Sequence, residues 1–97
     1  MGSLRINEIA VNQATHSPQD AIGLDEDVVA VVIRNAFDST QYMMVGWNQP
    51  ANMGNYIPPA TSLQYGFEGF DIAGNKLYIK WDGTSGGKAL ITVYSKC

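Results

Sequence analysis

Hydrophobic positions recur along this chain at every second residue, not at helical spacing, so most of the sequence predicts strands. Leu4 to Val11 carries Leu4, Ile6 and Glu8 on one face and Arg5, Asn7 and Ile9 on the other. Val28-Val29-Ala30-Val31-Val32-Ile33 is a block without polar alternation, the pattern of a strand covered on both faces. Gln41 to Trp47 sets Tyr42 and Met44 against Met43, Val45 and Trp47, and Leu63 to Phe67 is a short aromatic segment. Leu77 to Trp81 places Leu77, Ile79 and Trp81 opposite Tyr78 and Lys80, as a half-buried strand does. Lys88 to Tyr94 opposes Ala89, Ile91 and Val93 to Leu90, Thr92 and Tyr94. With fragments near Tyr56 and Phe70, the total is about six to eight strands.

Turn-forming residues fall between these segments. Asp38-Ser39 separates the second from the third. Ala73-Gly74-Asn75 and Asp82 to Gly87 flank the Leu77 strand, which predicts a compact hairpin with the last strand. Pro50, Met53-Gly54-Asn55 and Pro58-Pro59 break the middle of the chain, and a proline pair without backbone donors belongs in a loop or at a sheet edge. Ser17-Pro18-Gln19-Asp20 has capping chemistry for one helical turn closed by Gly23, or for a simple turn inside the long loop from Asn12 to Asp27. The expected fold is all-β: a single antiparallel β-sandwich or jelly-roll-like barrel with at most one helical turn. Residues 1–97 form one domain, with residues 1–12 as an arm able to add a strand to a neighbour's sheet edge.

Composition narrows the function classes. The 97 residues are 45% hydrophobic, an ordinary globular share, but only 15% charged, against about 25% in a typical domain. A formal net charge of −3 argues against a nucleic-acid partner that needs a basic face. Val28 to Ile33, the longest apolar run, falls far short of the roughly 20 residues of a membrane helix. Met1-Gly2-Ser3-Leu4-Arg5 has no hydrophobic signal region.

Candidate chemistry is sparse. Cys97 is the single cysteine, so no intrachain disulfide forms, and its expected state is an exposed thiol able to link two chains in oxidising buffer. His16 is the single histidine, lies between Thr15 and Ser17, and reads as an exposed side chain. Asp25-Glu26-Asp27 lacks the spaced ligands of a calcium loop and reads as a solvated turn before Val28. No phosphate loop, dinucleotide fingerprint or paired-cysteine motif occurs, so the expectation is a protein without enzymatic activity, cofactor or metal. All 10 aromatic residues lie between Phe37 and Tyr94. Trp47, Trp81, Phe67 and Tyr42 are expected in the core. Tyr56, Tyr65 and Phe70 lie beside Gly, Asn and Pro, where a loop would expose them for partner contact.

The segment Lys76-Leu77-Tyr78-Ile79-Lys80-Trp81-Asp82-Gly83-Thr84-Ser85-Gly86-Gly87-Lys88-Ala89 resembles a stretch of the lambda-type head decoration proteins, where a strand also ends in Trp-Asp-Gly-Thr before a glycine-containing turn. Between Val31 and Phe67, Ile33-Arg34-Asn35, Gly46-Trp47, Gly54 and Ile57-Pro58-Pro59 are similar to features of small β-sandwich accessory proteins of tailed-phage virions. The resemblance implies a structural protein of the virion, assembled in the host cytoplasm, that binds and stabilises a capsid or tail surface as a decoration or cement protein. It would act as a homo-oligomer, with a trimer matching the three-fold sites of a capsid lattice. Tyr56, Tyr65 and Phe70, with Leu4 and Ile6 of the arm, are the expected partner-binding residues. The alternative is a carbohydrate- or receptor-binding β-sandwich module, in which exposed rings stack on a glycan beside Asn48, Gln49, Asn52 and Asn55.

Overall fold

The computed structural model describes residues 3–51, 56–66 and 72–96. Among them seven strands are formed and no helix: β1 (Leu4–Asn12), β2 (Ile22–Gly23), β3 (Val28–Asn35), β4 (Met43–Trp47), β5 (Ser62–Tyr65), β6 (Lys76–Trp81) and β7 (Lys88–Lys96). They build two antiparallel sheets, one in the order β1-β7-β3-β5 and the other in the order β2-β6-β4. The odd-numbered strands make the first sheet and the even-numbered strands the second, so every connection crosses from one sheet to the other.

Side-chain alternation explains how the layers close. On the first sheet Val11, Val31, Ile33, Ala89, Ile91 and Val93 point inward; on the second, Met43, Leu77, Ile79 and Trp81 do. These residues meet in a single core with Leu24, Val28 and Ile72, and the fold is a β-sandwich. At one side Trp47 of β4 meets Tyr65 of β5 edge to face, with ring centroids 5.1 Å apart, and joins the two sheets.

The pairing corrects several expectations. β6 and β7 do not form a hairpin: β6 pairs with β2 and β4, β7 with β1 and β3. The turn between them bridges the layers because its ends are held by different sheets. At one end Asp82 N–H donates to Tyr42 O and Tyr42 N–H to the Asp82 carboxylate. At the other, Gln13 N–H donates to Gly87 O, and the Gln13 side chain spans the turn, accepting from Gly87 N–H and donating to Gly83 O, each at 2.8 Å. Gly87 lies directly on the Trp81 indole, where a Cβ would come within 2.5 Å of a ring carbon.

Residues 4–12 form a strand, and it is taken into the chain's own sheet. They pair with β7 along the whole strand, from Leu4 opposite Lys96 to Asn12 opposite Lys88. β3 is less covered than its apolar run suggests, since Val29 and Val32 are only half-buried. The β3–β7 register shifts between Val28 and Ala30, and Gly66 packs against the same stretch, where its φ of 95° and close approach to the Val29 carbonyl leave no space for a Cβ. Tyr42 is 48% exposed instead of core, because it precedes β4 at the open end of its pairing with β6. The segment at Ser17 is the simple turn expected within the loop: Ser17 N–H donates to the Asp20 carboxylate and Asp20 N–H to Ser17 O. Gly23, expected to close it, belongs to β2.

Candidate functional site

The exposed face of the four-stranded sheet is assembled by register. One row across it runs Ile6, Tyr94 and Ala30, the last of them buried; the next Glu8, Thr92, Val32, Gln64; the next Ala10, Leu90, Arg34, Ser62. Leu4 extends the face at one end. The residues are aliphatic, aromatic or small and uncharged, apart from Gln64, Glu8 and Arg34 within the rows and Lys96 and Lys88 at the ends. Leu4 and Ile6 are 53% and 61% exposed. Their exposure follows from parity within β1: Ile9 and Val11, at odd positions, reach the core, which turns Leu4 and Ile6 outward.

At its Lys88 end the face dips into a shallow hollow of about 280 Å³ between Ala10, Asn12, Ala36 and Leu90. Its rim carries the Asp38–Lys88 ion pair at 3.0 Å, where the Lys88 ammonium holds the Asp38 carboxyl below its ordinary value. Phe37, beside it, is 85% exposed. The outer face of the three-stranded sheet differs. There residues 49–51 fold back over Gly46, whose Cβ direction points at Gln49 O and Ala51 N, and Met44 is buried.

Of the residues expected to contact a partner, Leu4 and Ile6 are therefore on an open surface. Tyr65 is not in a loop; it ends β5, half-buried against Trp47. Tyr56 is half-buried next to Ile57, which exchanges backbone hydrogen bonds with Met43. Phe70, like Phe67, Asn52, Asn55 and Cys97, lies outside the described residues. The rings that a glycan platform would use are thus not presented together among the described residues.

Polar side chains are mostly spent on the fold. Asn35, fully buried at the end of β3, donates from Nδ2 to Gln41 O at 2.8 Å and Ile57 O at 3.0 Å, and its backbone bonds Thr61 and Ala60. Asn35 and Gln13 pin distant loops, a role that spacing along the chain does not reveal. His16 is half-buried rather than exposed, at a polar hollow of about 470 Å³ bordered by Thr15, Asp20 and Thr84. Asp25 and Glu26 are exposed, and Asp27 accepts from Arg5 at 2.8 Å. Among the described residues no three His, Cys, Asp or Glu side chains are placed so that they could hold a metal ion. Comparison with protein-family models, characterised proteins and solved structures finds no match to the chain.

Proposed function

We propose that the chain is a non-enzymatic structural protein of a virion that binds an assembled capsid or tail surface through the open face of its four-stranded sheet and stabilises the assembly. The observation that carries this reading is the contrast between the two outer faces. One is partly covered by its own chain; the other leaves Leu4 and Ile6 exposed and Val32, Leu90 and Thr92 half-buried beside them, with Glu8 and Arg34 the charged side chains within its rows. Apolar side chains left together at a surface in this way mark sites of protein contact. The Trp-Asp-Gly-Thr resemblance supplies the class of partner.

The mechanism is thermodynamic. A protein that binds an assembled lattice and not its free subunits favours the lattice by mass action. Co-sedimentation of the purified chain with assembled capsids or tails, and separately with their unassembled subunits, tests this. The chain should pellet with the assembly and ignore the subunits. Equal affinity for both, or for neither, contradicts the proposal.

A further inference from the structure

Among the described residues, β1 pairs with β7 on one side and with no strand on the other. The bonds flanking β7 fix which groups of β1 face outward. Lys96 N–H donates to Asp27 O, and Lys88 O accepts from Ala36 N–H, so even-numbered residues of β7 face β3. Gly87 O accepts from Gln13 N–H, so odd-numbered residues face β1. By the register of that ladder, Arg5, Asn7, Ile9 and Val11 bond to β7. Leu4, Ile6, Glu8 and Ala10 turn their N–H and C=O groups away from it.

The other edges are short or occupied. β5 has four residues and β2 two, while Met43 of β4 exchanges hydrogen bonds with Ile57. Edge strands are normally guarded by Pro, Lys or an inward-pointing charge. β1 contains no Pro or Lys, and its one inward-facing charge, Arg5, is engaged by Asp27.

We propose that β1 pairs antiparallel with β1 of a second copy about a two-fold axis at Asn7, joining two four-stranded sheets into one. In this register Leu4 lies opposite Ala10 of the second copy and Ile6 opposite Glu8. It is the symmetric register that pairs all four outward-facing residues with one another. Leu4 gains contact with Ala10 and, one strand further, Leu90 of the second copy; Ile6 packs on the stem of Glu8. Asn7 meets its own copy across the axis in a non-hydrogen-bonded pair, where two side-chain amides can bond each other and fix the register. Each β1 carries one Arg and one Glu, so the contact brings no net charge together although the chain is at −3. Both edges are consumed, and the assembly closes at two. The proposal does not depend on the virion reading.

Sedimentation equilibrium of the full chain with reductant, from micromolar to millimolar concentration, should show reversible association from 10.5 kDa to twice that mass. Glu8→Pro removes an outward-facing donor and no bond to β7, and Ile6→Lys places a charge on the edge. Both should weaken dimerisation at least tenfold while leaving the melting temperature of dilute protein nearly unchanged. Asn7→Cys in a Cys97→Ser background should cross-link under mild oxidation, far faster than Glu8→Cys in the same background. A monomer at every concentration, a trimer, or a dimer indifferent to Glu8→Pro and Ile6→Lys would overturn the proposal. A dimer in which Asn7→Cys does not cross-link preferentially would overturn the register.

Discussion

Asn35 shows how much a single buried polar side chain can hold. Its amide, fully buried, supplies donors to the Gln41 and Ile57 carbonyls of two separate segments, and its removal breaks both bonds at once. Asn35→Ala should therefore destabilise the fold by about 1–3 kcal/mol, seen as a lower denaturant midpoint with an unchanged slope. The glycines separate in the same way. Gly87 lies on the Trp81 ring, so Gly87→Ala forces an overpacked core and should cost about 1–3 kcal/mol. Gly23 has open space around its Cβ direction, and Gly23→Ala should be neutral or stabilising by about 0.4–1 kcal/mol. Equal effects at the two positions would contradict the packing described. The Asp38–Lys88 pair acts on the acid side. Because Lys88 lowers the folded-state value of Asp38, the pair stabilises above the ordinary carboxylate range and is lost as pH falls through that lowered value. Thermal stability curves of wild type and Asp38→Asn should differ slightly at neutral pH and converge in acid, the difference being small because both side chains are about half exposed.

At the scale of elements, β1 is both an edge and a wall of the core. Ile9 and Val11 pack inward, and without β1 the strand β7 keeps only its ladder with β3. Deleting residues 1–12 should abolish the cooperative unfolding transition measured by circular dichroism, and a deletion variant that melts cooperatively near the wild-type temperature would restore the arm expectation. The same strand shows why its surface was only half legible in the sequence. Its apolar residues change parity, Leu4 and Ile6 being even and Ile9 and Val11 odd, so alternation locates the strand without saying which side faces the core. β6 and β7 were equally legible as strands, yet their alternation is the same whether they pair edge to edge or stack in opposite sheets. Turn residues between them announce a reversal and not its direction. β2, at two residues, is too short for any periodic signal. Gln13 and Asn35 act through distances that only the folded chain defines.

For the whole molecule, the alternation of strands between sheets means that, among the described residues, no strand pairs with its neighbour in sequence. β1 meets β7, and β3 meets both β5 and β7. Each ladder must therefore close a long loop before it gains anything, which places folding in the slow range of about milliseconds to seconds. Stopped-flow refolding followed by Trp fluorescence should show this, and microsecond folding would contradict the topology. The same arrangement leaves one broad face uncovered, and the claim that this face is the docking surface is the centre of the account. Thr92 lies in the middle of it, between Glu8 and Val32, whereas Lys80 lies on the other sheet opposite Met44. The most direct measurement is co-sedimentation with assembled capsids or tails of wild type, Thr92→Arg and Lys80→Glu, each checked for an unchanged melting temperature. The account predicts that Thr92→Arg stays in the supernatant while Lys80→Glu pellets like wild type. Pelleting of Thr92→Arg at the wild-type level would contradict it.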